Sequence, residues 1–308
     1  MSVNATGESA EPVPGSADGL TSTDTAFESE SVPSNRIVIE ATHGWRSLRL
    51  GNVWEYRELV FFFVWRDVKV RYKQTVLGVF WAVVQPLALL AIFTLVLGRL
   101  AGLSKQTPDG VPYPALVFAG LVPWTLFASA LKAVSQSVVG NVNLVTKVYF
   151  PRLVLPLASA GSYVIDFVLS GVILLALMAY YGIYPDWRIV ALPGVALLAL
   201  VSAVGVGTWL TALNVRYRDV QYIVPFVTQI WLFASPVAYS STQVPERYRV
   251  LYDLNPMAGC VEGFRWALLG KPWVLGWLPA ISVVVSILVL VSGAFFFRRV
   301  ERTFADEV

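Results

Sequence analysis

The chain has 308 residues, of which 56% are hydrophobic and only 14% charged, with a formal net charge of +3. A soluble domain carries about 25% charged residues, so the composition excludes a soluble protein, and the small net charge gives no reason to expect a nucleic-acid partner. One cysteine, Cys260, and one histidine, His43, exclude an intrachain disulfide, a Cys₄ or Cys₂His₂ metal site and most histidine-based acid–base chemistry; neither metal nor cofactor is expected.

Residues 1–35 are rich in Ser, Thr, Pro, Gly, Asp and Glu and read as a disordered cytoplasmic tail. They lack the basic start and apolar core of a signal peptide. A cytoplasmic segment follows over 36–73. Within it RIVIEA suits a short strand, GWRSLRL a surface-lying run, and His43 a solvated loop position. Residues 54–73 read WEYRELVFFFVWRDVKVRYK. Phe61, Trp65, Val68 and Tyr72 recur at helical spacing, with Arg66, Lys69, Arg71 and Lys73 mostly elsewhere. That pattern favours an amphipathic helix lying flat in the interface over the protruding first turns of a membrane helix.

Six apolar stretches of the length a bilayer requires come next: 76–98, 114–138, 153–181, 189–213, 220–239 and 274–297. The third is interrupted only by Asp166. Pro86, Pro123, Pro156 and Pro225 lie in or near these spans, where neighbouring helices can satisfy the freed carbonyls. With the tail inside, the inner segments carry twelve Lys/Arg, from Arg57 through Arg302, against seven outside: Arg99, Lys105, Arg188, Arg247, Arg249, Arg265 and Lys271. The bias places both termini in the cytoplasm. The long outer segment 240–273 predicts one short helix from Pro245 and a second from Pro256 to Gly270. Its Leu251, Leu254, Met257, Val261 and Phe264 are too apolar for a free loop.

No phosphate-cradling G-x-x-x-x-G-K-[ST] run occurs, and no Ser/His/Asp set can form inside the membrane. A membrane-embedded transferase is therefore disfavoured, as is a proton-coupled carrier, and the chain is read as moving something across the membrane and not as an enzyme. A separate partner must supply energy for any uphill transport. The inner segment 139–152, VGNVNLVTKVYFPR, is the expected dock. Asn141 or Asn143 can cap a short helix there, Pro151 stops it, and Val145, Val148, Tyr149 and Phe150 present an apolar surface. Folding back onto the bilayer is the competing use of that segment. Asp166 reads first as a structural carboxylate hydrogen-bonded to a neighbouring helix, with Ser162 or Ser170 one turn away, and a cavity-facing functional role is the alternative.

The runs WRDVKVRYKQTVLGVFWAVVQPL (65–87), NVNLVTKVYFPRLVLPL (141–157), NVRYRDVQYIVPF (214–226), SPVAYS (235–240) and LNPMAGCVEGFR (254–265) carry a resemblance. Over about 45–300 the chain resembles the permease subunit of ABC-2 type exporters, in the branch that exports O-antigen, capsule and teichoic-acid polysaccharides. The resemblance implies an all-α, six-helix membrane domain over 74–300. It implies pairing of two copies with two separate ATPase subunits in the bacterial inner membrane, and a lipid-linked polysaccharide as cargo. Asn143, Leu144, Lys147, Tyr149, Phe150, Pro151 and Arg152 fall on the ATPase-coupling loop. Trp65, Arg66, Lys69, Arg71, Tyr72 and Lys73 fall on a gate helix at the cytoplasmic interface, and 240–273 on a pair of short outer-gate helices.

Two expectations about the path follow. Aromatic rings suit the C–H faces and hydroxyl rims of sugars, so Phe80, Trp81, Trp124, Phe127, Trp231 and Tyr239 are candidate linings of a continuous channel, against membership of the interfacial belts. Arg66, Lys69, Arg71 and Lys73 are candidates for the lipid pyrophosphate, against plain anchoring to anionic lipid. An ABC-2 exporter of a small amphiphile, a non-transporting scaffold for glycan assembly and a glycan-modifying enzyme are the alternatives.

Overall fold

The computed structural model describes residues 54–73, 78–107, 111–148, 150–241, 244–270 and 277–301. The expectations for the tail, the RIVIEA strand, the GWRSLRL run and His43 lie outside them. Every described element is helical. In chain order they are α1 (Arg57–Lys73), α2 (Gly78–Ile92, continued as π-helix over Phe93–Leu100), α3 (Tyr113–Gln136), α4 (Val142–Lys147), α5 (Val154–Gly161), α6 (Val164–Tyr180), α7 (Leu192–Arg216), α8 (Val220–Ala234), α9 (Arg249–Asp253), α10 (Pro256–Leu269) and α11 (Leu278–Val300).

Five segments are long and apolar enough to cross a membrane: Phe80–Leu100, Tyr113–Gln136, Val154–Tyr180, Trp187–Arg216 and Pro279–Val300. They fall on the first four and the sixth of the expected spans. The fifth differs. α8 has fifteen residues, about 22 Å of helix, where the hydrocarbon core is about 30 Å thick. It stops because Ser235 precedes Pro236 and adopts an extended conformation (φ −109, ψ 150), as a residue before proline prefers. The chain continues through Ser235–Ser241 as irregular, almost wholly buried backbone.

α3 is the centre of the bundle. It has the lowest mean hydropathy of the five long segments, 1.7, yet 78% of it is buried, against 17–33% for the others. Burial here follows from size. Ala115, Ala119, Gly120 and Ala130 let α5, α6, α7 and α10 close around it. The other spans keep broad apolar faces exposed, as lipid-facing helices do. α7 and α11 meet backbone to backbone. A Cβ on Gly205 would stand 2.7 Å from the Leu290 nitrogen, and one on Gly293 would collide with the Gly205 carbonyl and Thr208 Oγ1. Small residues at such crossings let membrane helices approach closely.

A second, separate apolar cluster lies at the other end of the bundle. It joins Phe63 of α1, Val145 and Phe150 of the 139–152 segment, Val154 and Ala158 of α5, Val215 of α7 and Phe297 of α11. The third span is not one rod. Ser162 and Tyr163 interrupt it between α5 and α6, one turn before Asp166.

Candidate functional site

The site begins with α1. Its sequence is apolar almost all round at LVFFFVW, so packing and not periodicity decides which side is covered. Phe63 and Val68 are buried, while Phe61, Phe62 and Trp65 are 70%, 61% and 50% exposed. Val64 faces Gly161 of α5, where an added Cβ would lie 3.0 Å away. The expected stripe Phe61, Trp65, Val68 and Tyr72 is therefore split. One side of α1 packs on α5, and Phe61 and Trp65 point away from the bundle.

The four cations of α1 also divide. Arg66 donates through Nη2 to Asp67 Oδ1 (2.8 Å) and to Asn141 Oδ1 (3.1 Å), and its Cζ lies 4.8 Å from the Phe63 ring. Arg71 donates to Asp166 Oδ2 at 2.9 Å and to Ser162 Oγ at 3.1 Å, and it stacks 3.8 Å from the Tyr163 ring. Tyr72 donates to Asp166 Oδ1. Burial, followed by that bond to Asp166, pushes the Tyr72 hydroxyl well above the usual phenol range. Lys69 and Lys73 are exposed, with Lys69 Nζ 5.4 Å from the Trp65 ring.

Asp166 thus bonds to a neighbouring helix, α1, while Ser162 one turn away meets the same Arg71. Ser162 Oγ itself donates to the Ser159 carbonyl at 2.9 Å. A carboxylate gains more from a cation than from a neutral hydroxyl. Beside this latch lies a cavity of about 410 Å³, lined by Arg66, Asp67, Val70, Arg71, Ala133, Ser159 and Ser162.

The 139–152 segment contains α4, which ends before Pro151 as expected. Asn141 occupies the N-cap position but makes no capping bond. Its Nδ2 donates to the Ser137 carbonyl at 2.8 Å and its Oδ1 is taken by Arg66. The expected apolar surface is not all presented. Val145 and Phe150 are buried inside the chain, and Phe150 meets Phe63 edge-on at 5.9 Å between centroids. Asn143, Lys147 and Val148 remain exposed, Leu144 and Pro151 are half-buried, and Tyr149 lies outside the described residues. Arg152 donates to the Glu301 carbonyl just past α11. Burial raises the Glu301 carboxyl above its ordinary value, against the opposing pull of Arg152 and Arg298.

The opposite end is built around Arg265. Its side chain is 4% exposed, and four bonds hold it: Nε to the Leu116 carbonyl (3.1 Å), Nη1 to the Tyr239 carbonyl (3.0 Å) and to Glu262 Oε1 (3.2 Å), and Nη2 to the Val237 carbonyl (2.8 Å). Gly120 makes the room, since a Cβ there would lie 2.9 Å from the Val237 oxygen. Burial lowers the guanidinium's pKa, and Glu262 acts against that shift. Tyr113 donates to the Ala238 carbonyl at 2.9 Å. Asn255 caps α10 by accepting from Met257 N–H, accepts from Trp231 Nε1 at 2.9 Å and donates to Ser235 Oγ at 3.0 Å. The irregular Ser235–Ser241 backbone therefore has its carbonyls met by side chains, as non-helical backbone at membrane depth requires.

With this geometry in place, the comparisons decide the family. The model of the ABC-2 type transporter family matches residues 58–269. The chain belongs to the ABC-2 type transporter family. An O-antigen export system permease protein, RfbA, of Myxococcus xanthus is 29% identical over 263 residues, covering 83% of this chain and 97% of that protein. A protein of the same name from Klebsiella pneumoniae is 26% identical over 242 residues, covering 78% of this chain and 91% of its own. The polysialic acid transport protein KpsM of Escherichia coli is 23% identical over 212 residues, covering 66% and 78%. The match takes in α1, the 139–152 segment and α10 together, and the chain is a multi-pass membrane transport protein.

In this transporter chain the six aromatic candidates separate into two groups. Trp124, Phe127 and Trp231 form a run inside the bundle, with centroids 5.5 Å and 5.0 Å apart, and Phe127 has no exposed surface. Tyr239 is half-buried and accepts from Tyr252 at 2.7 Å. Phe80 and Trp81 are 54% and 59% exposed on α2. Of the outer-loop apolar residues, Met257, Val261 and Phe264 are buried, while Leu251 and Leu254 are exposed. Sequence reasoning missed Arg265, Asn255 and Gly120. An arginine between Gly263 and the apolar run WALL was the available sign, because a cation so placed must be paired if the helix is buried.

Proposed function

We propose that the chain is the membrane subunit of an ATP-driven exporter that moves a lipid-linked polysaccharide across the bacterial inner membrane, with ATP hydrolysed by a separate subunit. The observation that carries this reading is the near full-length match to two proteins named as O-antigen export permeases, supported by one named for polysialic acid transport.

In this reading two copies pair, both termini are cytoplasmic, and the six apolar helices each cross the membrane. The segment 139–152 docks on the ATPase through the exposed Asn143, Lys147 and Val148, with Leu144, Tyr149, Phe150, Pro151 and Arg152 shaping it. α1 is the cytoplasmic gate helix. Its exposed Phe61, Phe62 and Trp65 sit in the interface, and Lys69 and Lys73 meet the anionic headgroup or pyrophosphate, because Arg66 and Arg71 are engaged inside the chain. Phe80 and Trp81 are the aromatics best placed to meet cargo, and Asp166 is a latch for α1. The segment 240–273, with α9 and α10, forms the outer gate.

Depletion of the chain in its host, with profiling of lipid-linked and surface glycans, tests the reading. Accumulation of long lipid-linked polymer inside, with one surface glycan lost, is the expected result. An unchanged profile, with no second exporter covering the loss, would overturn it in favour of a small amphiphile as cargo.

A further inference from the structure

The 139–152 segment is gripped by α1 at both of its ends. At the start, Asn141 accepts from Arg66 Nη2 at 3.1 Å while its own amide holds the Ser137 carbonyl at the end of α3. At the far end, Phe150 meets Phe63, one turn before Arg66 on the same helix. Asp67 fixes the plane of the Arg66 guanidinium through bonds to Nε (3.0 Å) and Nη2 (2.8 Å). Five residues further along α1, Arg71 and Tyr72 hold Asp166 of α6. A helix is stiff over that distance, about 7.5 Å. The cavity of about 410 Å³ beside Arg66 and Arg71 leaves α1 room to shift against α3 and α5.

We propose that Arg66 is a positioning residue: through Asn141 it ties the 139–152 segment to α1, so that displacement of the segment moves α1 and, through Asp166, the third span. This rests on the proposed function, in which the segment docks on the ATPase. The Arg66–Asn141 bond is not a stability device. The Arg66 side chain is 32% exposed, so water is an alternative partner and the net contribution of one such hydrogen bond to folding is small. Its value lies in what it connects: it is a side-chain bond between the segment and the helix that in turn holds Asp166.

The test uses the full chain assembled with its ATPase in liposomes, supplied with the lipid-linked polymer that accumulates in depleted cells. Glycan moved per ATP hydrolysed is read for wild type, Arg66→Ala, Asn141→Ala and the double variant. Each alanine is expected to lower that ratio by about tenfold, within the range of coupling between sites, and the double variant to lose no more than either single one, because the Arg66–Asn141 bond is the one interaction that both remove. A conservative pair covers any alanine variant that does not assemble. Asn141→Asp keeps the Oδ1 acceptor for Arg66 while giving up the amide's bond to the Ser137 carbonyl, and is expected to keep the ratio. Arg66→Lys has no Nε for Asp67 to hold and no planar fork to aim a donor at Asn141, and is expected to lose it. Wild-type ratios in both alanine variants, losses that multiply in the double variant, or equal ratios in Asn141→Asp and Arg66→Lys would each overturn the proposal. Failure of the wild-type chain to hold an ATPase or to move glycan would count against the proposed function instead.

Discussion

Two arginines at opposite ends of the bundle are held in opposite ways. Arg265 is buried, and three of its four bonds go to main-chain carbonyls, of Leu116, Val237 and Tyr239. Arg71 is 29% exposed and its shorter bonds go to side chains, Asp166 at 2.9 Å and Ser162 Oγ at 3.1 Å, with a long one to the Ser162 carbonyl at 3.5 Å, across a break in the third span and beside a cavity. Bonds to backbone fix a segment, because nothing at the other end can swing. Bonds between two side chains at a half-open site can part and re-form with water as the alternative partner. The Arg265 end is therefore held more firmly than the Arg71 end.

The largest effect that would break this comparison is at Arg265. Arg265→Ala leaves three buried carbonyls and Glu262 without their donor. The expected loss is about 3–5 kcal/mol, the scale for breaking a buried charged group's bonds. It is read as a fall in Tm of the purified chain in lipid nanodiscs. Arg265→Lys, with no planar fork, is expected to recover little of it. A Tm within a degree or two of wild type would remove the claim that this end is rigid. Next in size is Gly205→Ala. Its Cβ would stand 2.7 Å from the Leu290 nitrogen and 2.9 Å from its Cα, and backbone cannot turn aside. Overpacking of about 1–3 kcal/mol is expected, seen as a lower midpoint in the same melt.

At the Arg71 end, Asp166→Asn keeps shape and removes charge. About 1 kcal/mol is expected for so exposed a pair, too little for a clear change in melting. The sensitive measurement is hydrogen exchange across α1, which is expected to quicken over Val68–Lys73 and stay unchanged in α10. Equal quickening in both would mean that the two ends are not mechanically distinct.

The smallest effect uses the one cysteine. Burial pushes the Cys260 thiol up to about 12, above about 8.5 for an exposed thiol. A folded-state pKa raised in this way leaves stability whole below about pH 8 and erodes it as pH climbs from there towards the folded value. Maleimide is therefore expected to ignore the folded chain at pH 7 and to label it only on unfolding. Rapid labelling of folded protein would show that α10 opens readily.

The sequence was informative where a single physical rule acted alone. Uncharged runs of bilayer length located the spans of α2, α3, α7 and α11 to within a few residues. Pro256 and Gly270 bounded α10, whose last residue gives way to Gly270 at φ 64, a left-handed turn that favours glycine. It was less informative where two rules competed. Hydropathy carried the fifth span to residue 239, but Pro236 ended the helix at Ala234. In α1, apolar residues on nearly every side left the buried face open, and contact with Gly161 settled it. In 139–152 the apolar residues suggested a surface for a partner, yet Phe63 already covers Phe150.

The covalent chain by itself determined that this protein lives in a bilayer and how its charge is apportioned along its length. These are sums over residues, and they do not depend on which residues meet. The pairings were decided by the tertiary structure alone. Asp166 finds Arg71 across 95 positions and Arg66 finds Asn141 across 75. Arg265, counted in the sequence as one more outer cation, becomes the pin of a buried irregular strap. A carboxylate or guanidinium in a membrane protein must be paired, but the requirement names no partner. The partner is whichever group the packing of small residues, at Gly120 and Gly161, brings within reach.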